Sequence, residues 1–119
     1  MKTKLRLRRK VSKRFINSLV NVLYSKKAQD IKVIDTTKVT PEFDYMIIST
    51  ATSKNHIDAI VSELEKFIEE RKLKVIAKDT NSKTGWVVYD LTHTILHIMT
   101  QEVREYYLLE RIWELPPED

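Results

Sequence analysis

A chain of 119 residues, 42% hydrophobic and 32% charged, suits one globular domain with a single core and is too short for two. It has no cysteine, which excludes disulfides, thiolate catalysis and cysteine-ligated zinc and makes a reducing cytoplasm the expected compartment. Apolar runs such as Met46-Ile47-Ile48 fall far short of the roughly 20 residues a membrane span needs, and no apolar signal core follows the start, so a soluble protein is expected.

The formal net charge of +4 is unevenly spread: ten Lys or Arg and no acid precede Asp30, and from there eleven bases face seventeen acids. An acidic body is poorly suited to gripping phosphate across its surface, because such binding wants cations on the contact face. The expected organisation is a basic arm over residues 1–10, a single domain over 11–113 and an acidic tail over 114–119. The arm carries Lys2, Lys4, Arg6, Arg8, Arg9 and Lys10. It reads as an RNA or anionic-surface contact, a start-site extension or a solvated tail. It is short and Ser-poor for a mitochondrial transit peptide.

From Val11 to Tyr24, Phe15, Ile16, Leu19, Val20 and Leu23 recur at helical spacing and predict the first helix. Ile31, Val33 and Ile34, closed by Asp35-Thr36-Thr37, predict a short strand and a turn, and Pro41 blocks pairing before the next run. Tyr45 to Ala51 lacks polar alternation over its apolar part, the pattern of a strand covered on both faces, and is expected in the sheet's middle. Ser53 is a predicted N-cap for a helix carrying Ile57, Ile60, Val61, Leu64, Phe67 and Ile68, with Arg71 and Lys72 near its C-terminal end. Leu73, Val75 and Ala77 alternate with Lys74, Ile76 and Lys78 as a half-buried strand, followed by a polar loop from Asp79 to Gly85. Trp86 to Leu91 and Thr94 to Met99 predict a hairpin, and Thr100 caps a last helix from Gln101 to about Trp113. The expected fold class is α/β, a mixed sheet of about five strands with helices packed on it. A crossover joins the second and third strands if those are parallel.

A single glycine removes the phosphate-binding and dinucleotide loops, each of which needs several positions of close backbone approach. His93 and His97 would share a strand face, but no third ligand is fixed by the sequence, so hydrogen-bonded structural histidines are the commoner reading. Asp35 and Asp44 are the best candidates for paired carboxylates near strand ends. Neither belongs to an Asp-x-Asp pair, and turn capping is the commoner role. No enzyme, metal or cofactor is therefore expected. Trp86, Tyr106, Tyr107, Ile112 and Trp113 cannot all be buried easily. Tyr106 and Tyr107 point roughly 100° apart on a helix, so at least one is expected near the surface as a partner-binding anchor.

Four stretches carry a resemblance: Asp30-Ile31 through Asp35; Asp44 to Ile48 followed by Thr50-Ala51-Thr52-Ser53 and His56; Trp86 with Val87, Val88 and Asp90-Leu91 before Leu96-His97; and Tyr107 with Leu109-Glu110 and Ile112-Trp113. In order and spacing the chain resembles the Iojap family, the ribosomal silencing factors, from about Asp30 to Trp113. The resemblance implies a noncatalytic factor that binds the large ribosomal subunit through its fourteenth protein and sterically blocks joining of the small subunit, repressing translation. It also implies a nucleotidyltransferase-like topology without the catalytic residues, and members that are often homodimers. Carried over by position, it marks Trp86, Asp90, Leu91, His97, Tyr107 and Glu110 as the ribosomal-protein contact, with Leu109 and Trp113 more in keeping with the core. The basic arm lies outside the match and would add a ribosomal RNA contact. Ala51 stands where the family usually has Gly, Thr92-His93 replaces a usual Gly-Asp, and Leu108 occupies a usually acidic position. The alternatives are a large-subunit assembly factor, an RNA-binding module led by the arm, and a magnesium-dependent nucleotidyltransferase-like enzyme using Asp35 and Asp44.

Overall fold

The computed structural model describes residues 11–112, with backbone alone at Glu110 and Ile112. The predicted arm, the tail and Trp113 lie outside the described residues. The described chain runs α1 (Lys13–Ser25), β1 (Gln29–Asp35), β2 (Tyr45–Ala51), α2 (Lys54–Arg71), β3 (Ala77–Asp79), a 3-10 turn (Ser82–Thr84), β4 (Trp86–Asp90), β5 (Thr94–Thr100), α3 (Gln101–Tyr107) and a final 3-10 turn (Leu109–Ile112). This is the predicted order of helices and strands.

The five strands form one sheet in the order β1-β2-β5-β4-β3. β2 and β5 are parallel, and the other three pairings are antiparallel. Every residue of β2 is buried, as its apolar run predicts. The middle strand, however, is β5, because the β4–β5 hairpin inserts between β2 and the strand that follows α2. That following strand, β3, therefore lies at the far edge, and the parallel neighbour of β2 is β5 rather than the third strand.

Sequence alternation divides the sheet into two faces. Tyr45, Ile47 and Ala51 of β2, Val87 and Tyr89 of β4, and Leu96 and Ile98 of β5 point into the larger core, where Ile16, Leu19 and Leu23 of α1 and Ile57, Ile60 and Leu64 of α2 cover them. Ser12 and Ser53 cap the two helices, accepting from the N–H groups of Phe15 and His56. His56 joins the helices: its Nδ1 accepts the Thr52 N–H at 2.9 Å and its Nε2 meets the Lys26 carbonyl at 2.6 Å. At the edge of this helical face the Tyr89 hydroxyl donates to Glu65 Oε2 at 2.8 Å. The Lys78 ammonium lies 2.9 Å from that same oxygen.

The other face holds a smaller core of Ile34, Phe43, Met46, Ile48 and Met99, with Trp86, Ile95, Val103 and Leu109 packed at its margin. Its only described helix is α3, seven residues long, packed over β2 and β5. Among the described residues no helix covers the β4–β3 side of this face.

Two boundaries differ from the sequence reading, and two aspartates take different roles. α2 closes on Lys72 at φ 54°, and the Leu73 N–H returns to the Ile68 carbonyl at 3.0 Å. Leu73 to Ile76 is consequently spent crossing from helix to sheet edge, and β3 keeps only three residues. α3 stops at Tyr107 because Leu108 turns left-handed at φ 49° and sends its N–H back to the Arg104 carbonyl. The predicted continuation to Trp113 is replaced by a 3-10 turn. Asp35 closes its own turn as expected, accepting from Thr37 N–H and Oγ1 at 3.0 and 2.6 Å, and Asp44 is buried with its Oδ2 accepting the Val11 N–H at 2.9 Å. Asp44 thus fixes the entry to α1.

Thr92, where the resemblance led to an expected glycine, adopts φ 79° in the turn before β5, a region that glycine favours. Its hydroxyl is buried without a partner, and a β-branched residue in this region is strained. Thr92→Gly is therefore expected to stabilise the fold by about 1 kcal/mol, read as a higher urea midpoint at unchanged slope.

Candidate docking face

The open face begins at Gly85. This residue follows the 3-10 turn at φ 79°, and a Cβ there would lie 3.1 Å from Val103 Cγ2 and 3.2 Å from Thr100 Oγ1. Only glycine both makes that turn and lets β4 start against the root of α3, which brings Trp86 beneath Tyr107.

The Trp86 and Tyr107 rings lie 4.9 Å apart at 49°, and Tyr106 meets Tyr107 edge-on at 4.8 Å. Tyr106 is 79% exposed and Tyr107 53%. These are large, rigid side chains with polar tips, the kind that anchors protein contacts. Trp86 is half-buried, and its indole N–H donates to His97 Nδ1 at 2.9 Å. Because an indole can only donate, the neutral His97 ring carries its own proton on Nε2. That Nε2 is buried with no partner, and burial pushes the ring's pKa down to about 4.

Across the sheet on this face, Asp79, Val88, His97 and Ile48 stand side by side on β3, β4, β5 and β2. A groove of about 470 Å³ runs between Val88, Trp86, Val103 and Tyr107 to Asp79. A second groove, of about 240 Å³, continues past Val88 to Ala77 and Asp90. Asp90 is half-buried and closes the following turn by accepting the Thr92 N–H at 3.0 Å.

Of the predicted contact residues, Trp86, Tyr107 and Asp90 share this face. Leu91 does not: it is 7% exposed and belongs to the core under α1 and α2. The period of two sends it to the opposite side of β4 from Trp86, which corrects its assignment to the contact. His97 lies on the same face, but it is 6% exposed and reaches that surface only through its bond to Trp86. The Glu110 side chain lies outside the described residues. Leu109 is half-buried against the smaller core, as expected. His93 sits in the turn before β5 rather than on the strand, so it shares no strand face with His97. Among the described residues no three His, Asp or Glu side chains converge as a metal site would require.

Sequence reasoning passed over Asp79 and Val88, whose place on the face depends on β3 pairing with β4. It also passed over Arg104, which lies beneath the margin of α3 and donates from Nη1 to the Asp30 carbonyl at 2.6 Å and to Thr50 Oγ1 at 2.8 Å. Arg104 is nearly buried and pins α3 to β1 and β2. Arg104→Met is expected to cost about 2 kcal/mol in urea unfolding, because it strands the buried Thr50 hydroxyl and unpins α3 from β1. A loss under about 0.5 kcal/mol, the usual range for surface substitutions, would show that the pin is not needed.

A mixed five-stranded sheet with helices packed on it, and one face that the described residues leave partly bare, defines a small α/β domain with a candidate docking surface. The family described as "Ribosomal silencing factor during starvation" matches residues 9–119, and the chain belongs to it. A ribosomal silencing factor of Chromobacterium violaceum is 28% identical over 103 residues, covering 87% of this chain and 81% of that protein. One from Haemophilus influenzae is 30% identical over 98 residues, covering 82% and 96%. The mouse protein named "Mitochondrial assembly of ribosomal large subunit protein 1" is 35% identical over 109 residues, covering 84% of this chain but only 45% of its own length. A crystal structure of a Chromobacterium violaceum protein superposes with a TM-score of 0.79 at 25% identity, covering 91% of this chain and 92% of that one. No described helix is long and apolar enough to cross a membrane.

Proposed function

We propose that the protein binds the large ribosomal subunit through its fourteenth protein and, without turnover, blocks joining of the small subunit by occlusion. The observation that carries this reading is the open face, where exposed aromatic rings stand beside Asp79 and Asp90 lies farther along the same strand face. Aromatic anchors with an acidic rim match a basic protein surface in chemistry and in sign. Membership of the silencing-factor family supports it. In this reading the protein works in the cytoplasm, its free state is a homodimer, and the basic arm adds a contact to ribosomal RNA. The name of the mouse relative favours a second role on the same subunit, in its assembly.

Sedimentation of purified subunits with and without the protein tests the proposal. Co-migration with the large subunit and a lower yield of joined ribosomes are expected. Absence of co-migration would sink the reading, and co-migration with undiminished joining would favour assembly over occlusion.

A further inference from the structure

β3 is an edge strand whose usual protection has been withdrawn. Leu91 N–H bonds to the Thr94 carbonyl, and Thr100 N–H bonds to the Gly85 carbonyl, each at 2.9 Å. Odd-numbered residues of β4 therefore bond toward β5, and Trp86, Val88 and Asp90 turn their backbone groups toward β3. With Val88 opposite Asp79 and Asp90 opposite Ala77, those two β3 residues bond inward. Lys78 then turns its N–H and C=O outward, where no described strand meets them. Exposed edges are commonly guarded by a projecting lysine. Here the Lys78 ammonium is drawn over the helical face to Glu65 Oε2 at 2.9 Å, away from the open face.

Beside this edge lies the 240 Å³ groove, whose walls Asp79 and Val88 also line the aromatic groove. Asp79 and Asp90 stand diagonally across β3 and β4 on the same face. Each commits Oδ1 to its own turn, to the N–H of Asn81 and of Thr92 at 3.0 Å, leaving Oδ2 for an incoming donor. Two carboxylates at this spacing repel each other and any phosphate, and attract cations.

We propose that the outer edge of β3 and its groove seat an extended basic segment of the partner protein. The segment's backbone pairs with Lys78, and its cationic side chains meet Asp79 and Asp90. The inference deepens the reading of the partner as a ribosomal protein, and rests on it. Paired backbone donors and acceptors suit a peptide, and the acidic rim rejects nucleic acid.

Affinity of the full chain for purified large subunits, measured at two salt concentrations, tests it with variants at two exposed residues. Asp79→Lys is expected to bind about tenfold more weakly, with a flatter salt dependence. Asp79→Asn gives a smaller drop in the same direction should the reversal unfold the protein. Compared with Lys78→Ala, which loses the same ion pair but keeps the backbone N–H, Lys78→Pro is expected to bind about fivefold more weakly. Unaltered protein that binds tightly while either the Asp79 or the Lys78→Pro effect is missing would overturn this inference and leave the functional reading standing. Unaltered protein that does not bind would overturn both. Tighter binding after deletion of residues 2–10 would mean that the chain's own basic arm fills the groove, and would overturn the assignment to a partner.

Discussion

Replacing Trp86 with alanine is expected to weaken binding to large ribosomal subunits by more than about 1 kcal/mol, or fivefold. It is also expected to lower stability, because Trp86 has two roles. One side of the indole packs against the smaller core and its N–H fills the acceptor of His97. The other side lines the groove with Tyr107. Truncation therefore removes contact area and strands a buried ring nitrogen, and the stability loss is expected to be about 2–3 kcal/mol, below that of a fully buried tryptophan. A single variant cannot separate the two roles, so Tyr107→Ala is the necessary companion. Tyr107 is 53% exposed and its side chain makes no hydrogen bond among the described residues, so its loss is expected to reduce affinity with little change in urea midpoint. Undiminished affinity in both variants would remove the aromatic rings from the contact.

The sequence already carried the fold at coarse grain. The apolar spacing of Ile16, Leu19 and Leu23 and of Ile57, Ile60 and Leu64 could only be satisfied by burying one stripe of each helix, and the structure buries those residues. The unbroken run from Tyr45 to Ala51 likewise demanded cover on both faces. Strand order could not be read in this way. Which strand neighbours which depends on where the β4–β5 hairpin inserts, and local periodicity is blind to that choice. Leu91 illustrates the consequence for the site: it belongs to the same family pattern as Trp86, yet an odd separation along one strand puts it on the opposite face. Asp79 shows the reverse case. It read as the start of a polar loop, and it acquires a place on the docking face only because three residues of β3 pair with β4. Leu108 ended α3 early through a left-handed turn that a leucine does not advertise, whereas glycine there would have marked the boundary.

Stability is expected to fall by about 3 kcal/mol between pH 6.5 and pH 4 from His97 alone. The unfolded chain takes up a proton on this ring near pH 6.5, while in the folded state burial holds the pKa at about 4. Within that window the unfolded state binds more protons. The contribution of His97 is thus fully present above pH 6.5 and is lost as the pH falls toward 4. No counter-charge relieves this, since the neighbours of the ring across the sheet are Ile48 and Val88 and the only cause of the shift is desolvation. Glu65 acts in a different range. Its carboxyl is held below the usual value chiefly by the hydrogen bond from Lys78, so its contribution is lost only as the pH falls below about 4.5. His97→Gln retains an acceptor for the Trp86 indole and removes the titration. Urea midpoints of the two proteins at pH 7.5, 6 and 5 should therefore diverge in slope before the carboxylates titrate. Parallel slopes over that range would show that the ring is more accessible than its 6% exposure implies. A steeper fall in the unaltered protein would assign that part of the pH dependence to the buried His97 ring.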